Sequence, residues 1–138
     1  MDLTLKKRFA EPWAKYFGAT ELPIVFYYSK EVRNAKLVAP AKGHSCLICE
    51  LVKVRNGQSL AFNAEAIACG GAKRYLGFAD TMRPNFEYFL SCGIPNQMEG
   101  ERYIRTPEMV VEIQQHQQAI PDAKGSYIVF KRWDMLEE

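Results

Sequence analysis

The sequence contains no apolar run near the roughly 20 residues that a membrane-spanning helix needs, and neither sign of charge is in large excess. Lys and Arg number 18 against 16 Asp and Glu, a formal net charge of +2. So small a surplus gives no electrostatic reason to expect DNA, RNA or an anionic membrane as partner. Met1 to Arg8 have no apolar stretch behind their charges, which excludes a secretory signal there and makes the cytoplasm the expected compartment. Repeats, low-complexity tracts and linkers are missing as well, so one domain over residues 1–138 is expected. A Walker loop, G-x-S-x-G, G-x-G-x-x-G and H-E-x-x-H are all absent, which removes the familiar nucleotide, hydrolase and metalloprotease signatures.

What is present is the composition of a globular protein: 48% apolar and 25% charged residues over 138 positions. That length supports one hydrophobic core and argues against global disorder. Four cysteines occur, Cys46, Cys49, Cys69 and Cys92. In a chain with a good core and no export signal they read as thiols, ligands or core residues rather than a disulfide framework.

Periodicity predicts a helix over 3–17, where Leu5, Phe9, Trp13 and Phe17 form one apolar stripe. Pro12 should kink or restart it, and Gly18 should end it. The β-branched and aromatic run Leu22 to Tyr28 predicts a buried strand, and 29–42 reads mostly as loop. Leu47, Leu51 and Val54 mark one side of a helix over 44–54, with a turn at Asn56-Gly57 and a short strand over 59–62. Cys69-Gly70-Gly71-Ala72 interrupts the pattern before a short helix from Lys73. Another helix is expected over 84–92, with Phe86, Phe89 and Leu90 inward and Gly93 as its stop. Thr106-Pro107-Glu108 is the clearest helix start, combining a capping threonine, a first-turn proline and an acid. Its apolar face is Met109, Val110 and Ile113. A last strand runs over 126–130. Strands separated by helices imply an α/β (α+β) fold, a small mixed sheet with helices packed on it.

Three constellations can carry chemistry. In His44-x-Cys46-x-x-Cys49, residues three apart on a helix share a face, so both thiols could reach one ion. Thiolates suit zinc, copper(I) or iron–sulfur clusters. A complete site needs about four ligands, so Cys69, Cys92, His44 or His116 would have to complete it. The bland alternative makes Cys49, and less strongly Cys46, a small core hydrophobe. In Cys69-Gly70-Gly71, paired glycines allow positive φ and expose backbone N–H groups that can hold an anion or activate a thiol; a glycine turn beside a buried cysteine is the alternative. In Gly100-Glu101-Arg102-Tyr103, Arg102 could clamp a carboxylate or phosphate, or form an ordinary surface pair with Glu101. Cys92, ending an apolar helix, reads as core. His116, within a glutamine-rich face, reads as solvated.

Pro23-Ile24-Val25-Phe26-Tyr27-Tyr28, His44-Ser45-Cys46, Cys69-Gly70-Gly71 with Tyr75-Leu76-Gly77-Phe78, Gly100-Glu101-Arg102-Tyr103 and Ile128-Val129-Phe130-Lys131 follow one another along nearly the whole chain. In this order they resemble the uncharacterised archaeal cysteine-rich family, domain of unknown function 169. The Cys-Gly-Gly and Leu-Gly elements are the most specific part. The family has no established activity, so the resemblance implies no reaction; it does imply that Cys46 and Cys69 belong to the family pattern. Members of that family continue beyond the strand matching Ile128 to Lys131, with another Gly-Cys element. The expectation here is a short or truncated member.

Three functional classes follow from these residues. The first is a metal, zinc or iron–sulfur (redox) module built around Cys46 and Cys69, with Cys49 and His44 as further ligands and Gly70, Gly71 and Arg102 contacting a cofactor or a small anionic ligand. The second is a thiol enzyme with Cys69 as nucleophile. The third is a non-catalytic ligand-binding or interaction domain in which the cysteines only pack. Under the first, the Cys46 and Cys69 sulfurs should lie within about 8 Å of each other. A homodimer is also expected, through an edge or apolar face left open by the final strand, with Trp133 or Met135 at the contact.

Overall fold

The structure, a computed structural model, describes residues 3–18, 20–43, 45–116 and 121–136. Its first element is helix α1 (Leu3–Phe17), which continues through Pro12 without restarting and ends at Gly18 in left-handed backbone, φ +60°. Strand β1 (Ile24–Ser29) follows. Within the stretch expected to be loop lies a two-residue strand, β2 (Lys36–Leu37). Helix α2 (Leu47–Arg55), strand β3 (Leu60–Phe62), and helices α3 (Gly70–Tyr75), α4 (Phe86–Leu90) and α5 (Pro107–Gln115) come next. Strand β4 (Tyr127–Arg132) and a 3-10 turn over Trp133–Met135 complete the described chain. No helix among the described residues is long and apolar enough to cross a membrane.

The four strands form one mixed sheet in the order β1-β4-β3-β2. β4 is antiparallel to both neighbours, pairing Phe26 with Phe130 on one side and Leu60 with Phe130 on the other, while β2 and β3 run parallel. This gives the expected α+β architecture, but it corrects the view of the last strand. Because β4 pairs on both sides, it is a central strand and is not itself an edge of the sheet. Trp133 is also engaged within the chain, its ring 4.3 Å from that of Phe9 in α1. Lys6 in α1 donates to the carbonyl of Leu136 at 2.7 Å.

The core lies on one face of the sheet. Leu60, Phe62, Ile128 and Phe130 alternate onto that face and meet Val54, Ala66, Ile67, Phe78 and Ala123. Leu47 and Leu51 of α2 and Ala72 and Leu76 of α3 pack against the same cluster. Alternation along β3 and β4 turns Ala61, Val129 and Lys131 to the other face, and these too are buried. Burial on both faces explains why β4 reads as an apolar run and not as an alternating strand. Lys131 is 4% exposed, yet its ammonium is not among the buried polar atoms without a partner.

Candidate functional site

Two helices begin on a cysteine. Cys46 is the N-cap of α2, in extended backbone at φ −85°, ψ 128°. It therefore precedes the helix instead of lying inside one that starts at 44, because Leu47 is the first residue of the stripe that docks on the core. Cys69 is the N-cap of α3, also extended, at φ −71°, ψ 116°. Neither thiol makes a side-chain capping bond. Cys69 is half-buried, whereas Cys46, Cys49 and Cys92 are exposed, and all four are free thiols. The core reading of Cys49 and Cys92 is thus corrected. Cys49 is two positions, about 200° of helical rotation, from Leu47 and so points away from the docked face. Cys92 follows the end of α4, with its thiol donating to the carbonyl of Gly93 at 3.4 Å.

Among the described residues, no three His, Cys, Asp or Glu side chains gather into a group that could hold a metal ion. Cys46, Cys49 and Cys69 therefore do not form such a group together, and a shared thiolate centre would need ligands from outside this set. His44 lies outside the described residues. His116 is exposed and its Nδ1 is 2.8 Å from the carbonyl of Glu112.

Gly70 and Gly71 form the first turn of α3, and neither has positive φ. The turn expected there is corrected, and the anion-nest argument built on it lapses. Helix overrides glycine's poor propensity here because Ala72 and Leu76, four residues apart, both gain core contacts. The Gly100-Glu101-Arg102-Tyr103 segment has a backbone role. The N–H groups of Glu101, Arg102 and Ile104 donate to the carbonyls of Phe89, Ser91 and Leu90 at 2.7, 3.0 and 3.1 Å, satisfying the end of α4. Arg102 itself is exposed, on left-handed backbone at φ +56°.

The family-like Tyr28 and Leu76-Gly77 elements meet in space. The Tyr28 hydroxyl donates to the carbonyl of Leu76 at 3.1 Å, and burial pushes the phenol's pKa up. Gly77 has φ +78° and its carbonyl accepts from the Ala123 N–H at 2.9 Å. Beside this junction, at the C-terminal end of α3, is a pocket of about 250 Å³ lined by Arg74, Tyr75, Asp80, Thr81, Met82 and Gln114. Arg74 is half-buried. Asp80 is already paired with Lys124 at 2.6 Å, whereas Arg74 has no ion-pair partner among the described residues. The sequence does not mark Arg74, since a cation in the last turn of a helix reads as an ordinary complement to its dipole.

The molecule is a small α+β protein with free thiols at two helix starts and a separate pocket behind the second helix. The chain belongs to the family of domain of unknown function 169, described as Uncharacterised ArCR, whose model matches residues 14–138. No curated protein and no solved structure matches it.

Proposed function

We propose that the protein is a binding module for a small anion, a phosphate or a short carboxylate, held in the pocket at the end of α3. The observation that carries this reading is the half-buried Arg74 lining that pocket with no ion-pair partner among the described residues. An arginine fork recognises a phosphate or carboxylate through two parallel hydrogen bonds. Thr81 and Gln114 add neutral donors, and Lys124 holds the one lining carboxylate, Asp80, in an ion pair. At about 250 Å³ the space lies just below the roughly 300–1,000 Å³ of ordinary small-molecule pockets, which suits a ligand of a few heavy atoms. Titration calorimetry with inorganic phosphate and with malonate tests the reading. Binding of either anion, lost in Arg74→Ala and kept in Arg102→Ala, supports it. Absence of heat with both anions, or equal binding by the two variants, overturns it.

A second reading is a thiol-held soft metal or iron–sulfur cluster with Cys46 and Cys69 among its ligands. It is favoured by the shared position of the two cysteines at helix N-termini, where negative charge is stabilised. Metal analysis of protein purified without oxygen, compared with Cys69→Ser, tests it: bound metal that the variant loses supports the assignment.

A further inference from the structure

The start of α2 carries two exposed thiols, Cys46 at its N-cap and Cys49 in its first turn. The Cys49 N–H donates to the carbonyl of Cys46 at 3.1 Å. A hydrogen bond closing four residues in this way brings the first and last α-carbons within about 7 Å. A disulfide spans roughly 4.4–6.8 Å between α-carbons, so a separation of this order is compatible with a bond between the two. Cys46 caps α2 in extended backbone, and Cys49 lies in the first turn that follows it. Leu47 and Leu51 anchor the turn on the core, while Cys46 and Cys49 are both exposed. The adjacent carboxylate, Glu50, is paired with Lys53 at 2.6 Å and leaves little uncompensated negative charge to repel a thiolate.

From this geometry we infer that Cys46 and Cys49 form a reversible redox dithiol that exchanges with low-molecular-weight disulfides. Cys46 precedes the helix, and no turn shields its sulfur. Its thiolate attacks one sulfur of the disulfide, forming a mixed disulfide and releasing one small thiolate, which takes up the proton Cys46 gave to solvent. The Cys49 thiolate then attacks the Cys46 sulfur. The Cys46–Cys49 bond forms, the mixed disulfide breaks, and a second small thiol leaves with the proton from Cys49. Two electrons pass from the protein dithiol to the small disulfide, and atoms and charge balance.

The test uses the full chain, equilibrated in buffers of varied oxidised-to-reduced glutathione ratio, quenched with acid and alkylated. Under oxidising conditions the expected product takes alkyl groups on Cys69 and Cys92 only. Its tryptic peptide Gly43–Lys53, bounded by Lys42 and Lys53 and containing both Cys46 and Cys49, is lighter by the two thiol hydrogens. In Cys49→Ser the link is lost and glutathione stays on Cys46, while Cys69→Ser and Cys92→Ser retain the link. Cys49 is exposed, so its serine variant should fold, and circular dichroism checks that it does. Alkylation of Cys46 and Cys49 in every buffer, or a link from either one to Cys69 or Cys92, overturns the inference.

Discussion

The backbone of Gly77 lies so close to Pro121 that a β-carbon at Gly77 would overlap the Pro121 carbonyl oxygen and stand 2.7 Å from its carbon. Only glycine combines that approach with φ +78°. This contact joins the end of α3 to the segment leading into β4. Gly77→Ala should cost about 2–4 kcal/mol, left-handed strain adding to backbone displacement. Gly70, by contrast, is helical, and a β-carbon there would meet none of the described residues within 4 Å. Gly70→Ala should gain about 0.5–1 kcal/mol. Urea denaturation of the two variants checks both, and a loss at Gly70 comparable to that at Gly77 would contradict the helical placement of the Gly-Gly pair.

Cysteine at the start of α3 leaves the helix without a side-chain cap. Serine in that place accepts from the free N–H groups of the first turn. Cys69→Ser should therefore raise stability by about 0.5–1 kcal/mol, read as a higher thermal midpoint. A lower midpoint would mean that the half-buried sulfur contributes more through packing than a hydroxyl does through capping.

The two oxygens of Asp134 accept from Arg132 at 2.7 and 2.8 Å, a bidentate pair. The hydrogen bonds from Arg132 hold the Asp134 carboxyl below its ordinary range. A carboxyl lowered by folding stabilises the native state above its unfolded value, near 4. That contribution is lost as pH falls through the folded value. Carboxyl NMR should show Asp134 titrating below the ordinary aspartate range, and Arg132→Gln should move its midpoint upward. An unchanged midpoint in the variant would remove the guanidinium as the cause.

Helix α1 is held to the rest of the protein by few contacts, chiefly the Phe9 and Trp133 rings and the Lys6 bond to Leu136. The indole N–H groups of Trp13 and Trp133 are buried there without hydrogen-bond partners among the described residues, which weakens the junction. Phe9→Ala should speed amide exchange across α1 while β4, at the centre of the sheet, keeps its protection. Equal acceleration in both would show that α1 unfolds only with the whole protein.

The local elements were legible where a residue's effect does not depend on distant partners. Thr106 caps α5 by accepting from the Met109 N–H at 3.4 Å, with Pro107 in the first turn, as the sequence motif requires. The α1 stripe, the Asn56-Gly57 turn and the strands Ile24–Ser29 and Tyr127–Arg132 lie close to where periodicity and turn chemistry put them, but Ile24–Ser29, expected to be buried, is a half-buried outer strand with Phe26 exposed. The mixed α+β class followed from their order. Cys46 and Cys69 stood out in sequence, and each begins a helix.

Tertiary packing decided the rest. Gly70 and Gly71 became helical because Ala72 and Leu76 reach the core, a gain no local propensity contains. Cys49 and Cys92 became exposed because orientation depends on which face docks. β4 became central because strand order is set by pairing across the sheet, between residues far apart in sequence. The Arg74 pocket could not be read at all, since its lining comes from α3, the segment after it and α5. Sequence acts on a residue through its neighbours along the chain, and so determined the elements. Which of their side chains would share a core, a pocket or an edge depended on burial across the whole fold.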